Sequence, residues 1–149
     1  MITGTDNRQL KRIALLMKKA RARKDQGLFV VEGKKMCGEA PEDQLVQLYV
    51  SESFLGDPAA EALLDHRRYE VVSDALFRNL SDTKTPQGIL GIVKLPRYDF
   101  SDLLRGRRTH LLVLEGIQDP GNLGTMIRTG ECAGITGVIL NRTTVDLFS

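Results

Sequence analysis

The stretch Leu114-Glu115-Gly116-Ile117-Gln118-Asp119-Pro120-Gly121-Asn122-Leu123-Gly124-Thr125-Met126-Ile127-Arg128-Thr129 gathers the residues of this chain best suited to chemistry. An apolar run leads into a glycine-rich turn, and a helix follows, opened by Asp119 or Pro120. Gly121 and Gly124 permit a tight backbone path and the close approach of another chain. Free amides at such a strand-to-helix turn can cradle a phosphate. The spacing lacks the third glycine of the dinucleotide G-x-G-x-x-G and the Gly-Lys-Ser/Thr of the phosphate loop, which argues against a nucleoside triphosphatase. Arg128 offers a permanent positive charge; the plainer alternative is a surface residue paired with Glu131, three positions on.

The elements that must hold this turn alternate between strand and helix. The apolar spacing predicts a helix over 8–23, a turn at Gly27, a strand over 28–31 and a helix over 33–40. Strand 45–50, helix 58–64, strand 69–72 and a helix over 73–79 capped by Ser73 follow. A polar loop, Ser81-Asp82-Thr83-Lys84-Thr85-Pro86-Gln87-Gly88, precedes a strand over 89–93. The alternation predicts an α/β fold with a largely parallel sheet. Residues 1–95 form one domain, 96–108 are read as a polar, arginine-bearing linker, and 109–149 begin a second domain. There a strand over 110–114, a helix over 122–133 and a strand over 138–140 make one βαβ unit. Such a unit of about 40 residues cannot bury both faces of its strands alone, so more sheet is expected from elsewhere.

Composition excludes several classes. Apolar residues make up 42% and charged residues 27% of the 149, ordinary values for a folded protein. No apolar run approaches the roughly 20 residues of a membrane span, and the start lacks the apolar core of a signal peptide, so a cytoplasmic protein without membrane contact is expected. Cys37 and Cys132 lie far apart with no Cys or His at zinc-ligand spacing; both are read as buried, reduced thiols, and no metal site is expected. His66 and His110 are isolated and receive no role. The net charge is only +2, yet residues 1–35 hold ten Lys/Arg against three acids, and residues 36–65 hold seven acids and no Lys or Arg. On the first helix Leu10, Ile13, Ala14, Met17 and Ala20 make an apolar stripe, with Arg8, Lys11, Arg12, Lys18 and Lys19 opposite. That face is either a solvated surface or a landing site for a polyanion.

Asp119-Pro120-Gly121-Asn122-Leu123-Gly124, with Arg128 six residues after Asn122, resembles the first signature motif of the SpoU/TrmH-type (SPOUT class) RNA 2'-O-ribose methyltransferases. Phe29-Val30-Val31-Glu32-Gly33 resembles a strand end of that family's substrate-binding domain, and residues 81–88 resemble the loop that ends it. The resemblance implies a ribosomal-protein-like α/β RNA-binding domain followed by an incomplete knotted α/β methyltransferase domain. It implies S-adenosylmethionine as cofactor, a ribose 2'-hydroxyl of ribosomal RNA as acceptor, and a homodimer at full length. Arg128 would clamp RNA phosphate and stabilise the developing alkoxide, and Asn122 would orient the loop.

The family's later cofactor motifs, a Gly-Asn-Glu-Gly-like loop and a Ser-Leu-Asn segment, are expected beyond Ser149. The chain alone is therefore expected neither to bind the cofactor nor to methylate RNA. RNA contact is expected through Lys11, Arg12, Lys18, Lys19, Arg21, Arg23 and Lys84. Two other readings stay open: a non-catalytic RNA-binding module, and a βαβ nucleotide site with phosphate at Gly121 and Gly124.

Overall fold

A computed structural model describes residues 1–148. Contacts divide the chain into two compact units, Met1–Leu95 and Pro96 onward. The cofactor residues expected beyond Ser149 lie outside the described residues.

In the first unit, the Asn7 side chain accepts the amides of Gln9 and Leu10 and opens α1 (Arg8–Lys18). The single helix expected over 8–23 is broken: Lys19 is extended, and α2 (Ala20–Gln26) starts afresh. The buried stripe is consequently Leu10, Ile13 and Leu16, with Met17 packed beside it and Ala20 exposed. Arg23 closes the broken end. Its guanidinium folds back from α2 to donate to the carbonyls of Leu16 and Met17, two of the acceptors that a helix end leaves without a partner.

Gly27 ends α2, and the unit continues through β1 (Leu28–Glu32), α3 (Lys34–Glu39), β2 (Leu45–Ser51), a 3-10 turn (Ser53–Gly56), α4 (Ala60–Leu64), β3 (Tyr69–Val72), α5 (Asp74–Leu80) and β4 (Ile89–Lys94). Ser73 stands at the start of α5 but makes no side-chain capping bond. The sheet order is β1-β4-β2-β3. The expectation of a largely parallel sheet is corrected. β1, β2 and β3 run the same way, but β4 inserts antiparallel between β1 and β2, so of the three pairings between described strands of this sheet β2–β3 alone is parallel. Ile2 extends the sheet by bridging to Val72 beyond β3.

Central position explains the sequence of β4. Ile89 to Val93 are all buried, as an unbroken apolar run requires when helices cover both faces. Leu90 and Ile92 join α1 and α5 residues Leu10, Ile13, Leu16 and Phe77 on one face. Ile89 and Val93 join Cys37, Phe54 and Ala60 on the other.

In the second unit, β5 (Leu111–Leu114), α6 (Pro120–Cys132) and β6 (Gly137–Leu140) form a βαβ arrangement with parallel strands. The segment read as a linker clusters with this unit and carries a 3-10 helix, Phe100–Leu104, opened by Asp99, whose carboxylate accepts the Ser101 amide at 2.7 Å. Val113, in the middle of β5, is 67% exposed, so part of this small sheet is uncovered among the described residues. No described helix is long and apolar enough to cross a membrane.

The two thiols differ, contrary to the expectation that both are buried. Cys37 is buried under α3, whereas Cys132 is exposed on the last turn of α6. Burial pushes the Cys37 thiol from 9.0 up to about 12, against the opposing pull of nearby Arg67. An unfolded chain would ionise this thiol near 9.0 while the folded chain keeps its proton, so its contribution to stability falls as pH rises through that interval. At about pH 8 a thiol reagent should titrate Cys132 rapidly and Cys37 only after denaturation; immediate reaction of both would contradict the packing of α3.

Candidate functional site

The strand end and the polar loop singled out in the sequence form one site. β1 delivers Glu32 and Gly33 to the edge where β4 begins, and the Gly33 amide donates to the Ile89 carbonyl at 2.9 Å. The Lys34 amide donates to Gln87 Oε1 at 2.8 Å. The Glu32 carboxylate accepts the hydroxyls of Ser81 and Thr83, tying the start of the loop to the end of β1.

Beside this latch lies a cleft of 690 Å³ lined by residues of α3, the end of β2, the 3-10 turn, α5 and the loop. Ser51, 4% exposed, accepts the Phe54 amide. Gly88, at φ +77°, is required at the base: a β-carbon there would stand 2.6 Å from Ser51 Oγ and 3.1 Å from Phe54 Cβ.

The charges of the cleft fall into two sets. Lys34 Nζ meets Asp57 Oδ2 at 2.6 Å, and that bond, with the Ala59 amide, holds the Asp57 carboxyl below the usual carboxylate range. Asp74 is held low chiefly by hydrogen bonds from the Ser53 amide and hydroxyl. Arg78 and Lys84 are exposed and make no direct hydrogen bond or ion pair among the described residues, although the Arg78 charge helps to hold Asp74, one turn earlier on α5, low.

The other cations expected to meet RNA are distributed differently. Lys11 pairs with Asp6 at 2.7 Å, Arg21 lies 3.6 Å from Asp25, and Arg12 donates to Gln26; all are exposed. Lys18 and Lys19 are exposed at the junction of α1 and α2. Arg23 is corrected: at 4% exposure, with its guanidinium on the end of α1, it cannot present its charge to a phosphate. Lys84 stands at the cleft rather than on the basic helices. Sequence reasoning missed Lys34, Ser53, Asp74, Arg78 and Gln87 as a group. Motifs 29–33 and 81–88 pointed to the place, but nothing local marks Ser53 or Arg78.

In the second unit Asp119 caps α6, its carboxylate accepting the Asn122 amide at 2.6 Å, with Pro120 in the first turn. The Asp119 carboxylate takes the Asn122 amide at the helix start and would repel a phosphate brought to Gly121 and Gly124. Asn122 is exposed beside this cap. Arg128 is exposed, forms no ion pair with Glu131, and donates to the Thr125 hydroxyl at 3.1 Å. Gly124 makes room for it: a β-carbon there would lie 3.3 Å from Arg128 Nη1. The guanidinium is held along the helix with its charge uncompensated.

Residues 7–91 match the model of the MRM3-like substrate binding domain, a stretch that includes the basic helices and the cleft. The chain belongs to the MRM3-like substrate-binding domain family. The Bacillus subtilis 23S rRNA (guanosine(2553)-2'-O)-methyltransferase RlmP is 38% identical to this MRM3-like chain over 79 residues, 53% of the chain and 30% of the relative. An AdoMet-bound rRNA methyltransferase from Sinorhizobium meliloti superposes with a TM-score of 0.77 at 27% identity, covering 99% of the chain and 56% of that protein. The SpoU methyltransferase AviRb of Streptomyces viridochromogenes, 20% identical over 95% of the chain and 56% of its own length, shares the fold with a TM-score of 0.78. The MRM3-like chain thus spans 30% of the length of RlmP and just over half of these solved structures. Its relatives are SpoU/TrmH rRNA 2'-O-methyltransferases, and its mixed α/β fold is that of SPOUT methyltransferases over the length it covers.

Arg23→Ala leaves two helix-end carbonyls without their charged donor and should lower stability by about 1.5–3 kcal/mol, read as a lower urea midpoint. RNA affinity of the folded fraction should not change. Weaker RNA binding at unchanged stability would return Arg23 to the contact surface.

Proposed function

We propose that this chain is the substrate-reading domain and the first part of the catalytic domain of an S-adenosylmethionine-dependent methyltransferase that modifies a ribose 2'-hydroxyl of ribosomal RNA. Residues 1–95 read the RNA, 96–108 lead into the catalytic part, and the full-length enzyme works as a cytoplasmic homodimer. The observation that carries the reading is Arg128, an exposed guanidinium without an acidic partner, set in place by Thr125 and Gly124 within the family's signature motif.

A ribose 2'-hydroxyl is a weak nucleophile whose oxygen gathers negative charge as its proton leaves. A fixed cation beside it lowers the barrier without having to reorganise. Arg128 supplies that charge and clamps the adjoining phosphate; it is not the base, because a guanidinium scarcely deprotonates in a protein. Asn122, next to the Asp119 cap, orients the loop. S-adenosylmethionine, when bound, supplies a methyl group carried on a sulfonium. Of the groups around α6, Arg128 and Asn122 suit the acceptor ribose and its phosphate, and neither offers the carboxylate or apolar enclosure that a sulfonium nucleoside needs. Its pocket is assigned to the portion of the relatives that this chain does not span.

Lys11, Arg12, Lys18, Lys19 and Arg21 form the sequence-independent RNA surface, with Lys84 at the cleft. Each phosphate contact removed should weaken all RNAs about equally and reduce the salt slope by about 1.

Calorimetric titration with S-adenosylmethionine should give no binding heat with the 149-residue chain and saturable binding once the chain is continued through the family's later motifs. Saturable binding to the 149-residue chain would overturn this placement of the pocket. In the extended enzyme, Arg128→Ala should reduce kcat/KM for rRNA methylation about 100-fold or more, with cofactor affinity unchanged. An equal loss of cofactor affinity would place Arg128 in the wrong half of the site.

A further inference from the structure

The cleft holds a pattern of groups that a smooth phosphate-binding surface does not need. Its volume of 690 Å³ falls within the range of about 300–1,000 Å³ typical of sites for small organic molecules. It opens where β1 and β2 end and α5 begins, a position at which open α/β sheets commonly take ligands. Two carboxylates, Asp57 and Asp74, line it, with Asp57 paired to Lys34, so the positive charge left for an anion is that of Arg78 and Lys84. The cations Arg78 and Lys84 are exposed, without a direct ion-pair contact among the described residues, and suit an anion that stays outside. Between these sets lie the Ser53 hydroxyl, the Gln87 side-chain amide, whose nitrogen remains a donor while its oxygen takes Lys34, and the apolar surface of Pro86. The complementary ligand has a neutral, planar, hydrogen-bonding body and an anionic tail.

We propose that the cleft receives one unpaired RNA nucleotide, with its base among Ser53, Asp74, Pro86 and Gln87 and its phosphate at Arg78 and Lys84. The proposal rests on the RNA-modifying reading above and adds where the RNA is read and in what conformation. A paired base cannot enter, because its hydrogen-bonding edge is occupied and its neighbours in the helix meet the walls of the cleft first. A bulged or loop base, splayed from its stack, can enter. Asp74, kept ionised by Ser53, is an acceptor-only group and favours a base edge that offers N–H donors. The Glu32 latch to Ser81 and Thr83 holds the loop wall before RNA arrives, so little ordering entropy is lost on binding.

The test uses the 149-residue chain and two RNA hairpins identical except that one carries a single bulged 2-aminopurine and the other has that base paired. The bulged hairpin should bind about tenfold more tightly, equivalent to roughly two net hydrogen bonds, with a change in 2-aminopurine fluorescence. Thr85→Trp, which fills the cleft from an exposed position without removing a described hydrogen bond, should abolish the preference while leaving affinity for the paired hairpin intact. Arg78→Ala combined with Lys84→Ala should shrink the preference, and this pair decides the matter if the tryptophan variant does not fold. Lys18→Ala with Lys19→Ala should weaken both hairpins equally. Equal binding of the two hairpins by the unaltered chain, or a preference that survives in folded Thr85→Trp, overturns the nucleotide site while leaving RNA binding in place. Failure to bind either hairpin overturns the site together with the RNA reading on which it rests.

Discussion

Because β4 lies between β1 and β2 and runs antiparallel to both, its amino end at Gly88 and Ile89 meets the ends of its neighbours at Gly33 and Ser51. The loop over 81–88 must therefore close on Glu32 and Lys34. A parallel β4 would carry that loop to the opposite end of the sheet, far from every group it now touches. Burial enforces the arrangement. Each apolar side chain of β4 removed from water contributes about 1.5–3 kcal/mol, and the strand joins the clusters on both faces, so moving it would open both at once. The cleft is a consequence of how the core is filled.

The same economy governs charge. Arg23 is consumed in closing the end of α1, and Lys34 in neutralising Asp57. Lys11 and Arg21 have acidic partners on the surface, where such pairs are worth little and yield readily to a phosphate. Among the described residues, Lys18, Lys19, Lys84 and Arg128 form no ion pair, and Arg78 lies near Asp74, one turn earlier on α5, without an ion-pair contact. The difference between these groups lies in what stands beside them, since a lysine or arginine has the same intrinsic affinity for phosphate wherever it occurs in the chain.

In the second unit the constraint is local. Asp119 supplies the anion that the start of α6 attracts, and Gly124 leaves the space in which Arg128 lies against Thr125. A β-carbon at 124 would stand 3.3 Å from Arg128 Nη1 and crowd the guanidinium against the helix. The motif thus encodes its own geometry over about two helical turns, while the strands that carry it leave Val113 largely exposed.

Short-range signals were enough for the alternation of strand and helix, the βαβ unit, a helix opened at Asp119 or Pro120, the family resemblance and the basic character of the first 35 residues. These are short-range properties, set by apolar period, turn chemistry and motif spacing within a few residues. Strand direction was not among them: three strands run the same way, as the alternation suggested, and only long-range pairing decided that the fourth would enter between two of them in reverse. The fate of Arg23 followed the same logic, because whether its charge meets water or the end of α1 depends on a break at Lys19 that apolar spacing could not register. The cleft was half visible. Glu32, Gly33 and the 81–88 loop stood out as motifs, but Ser53, Asp74 and Arg78 join them only because tertiary packing brings the ends of β1 and β2, the start of α5 and the loop to one place.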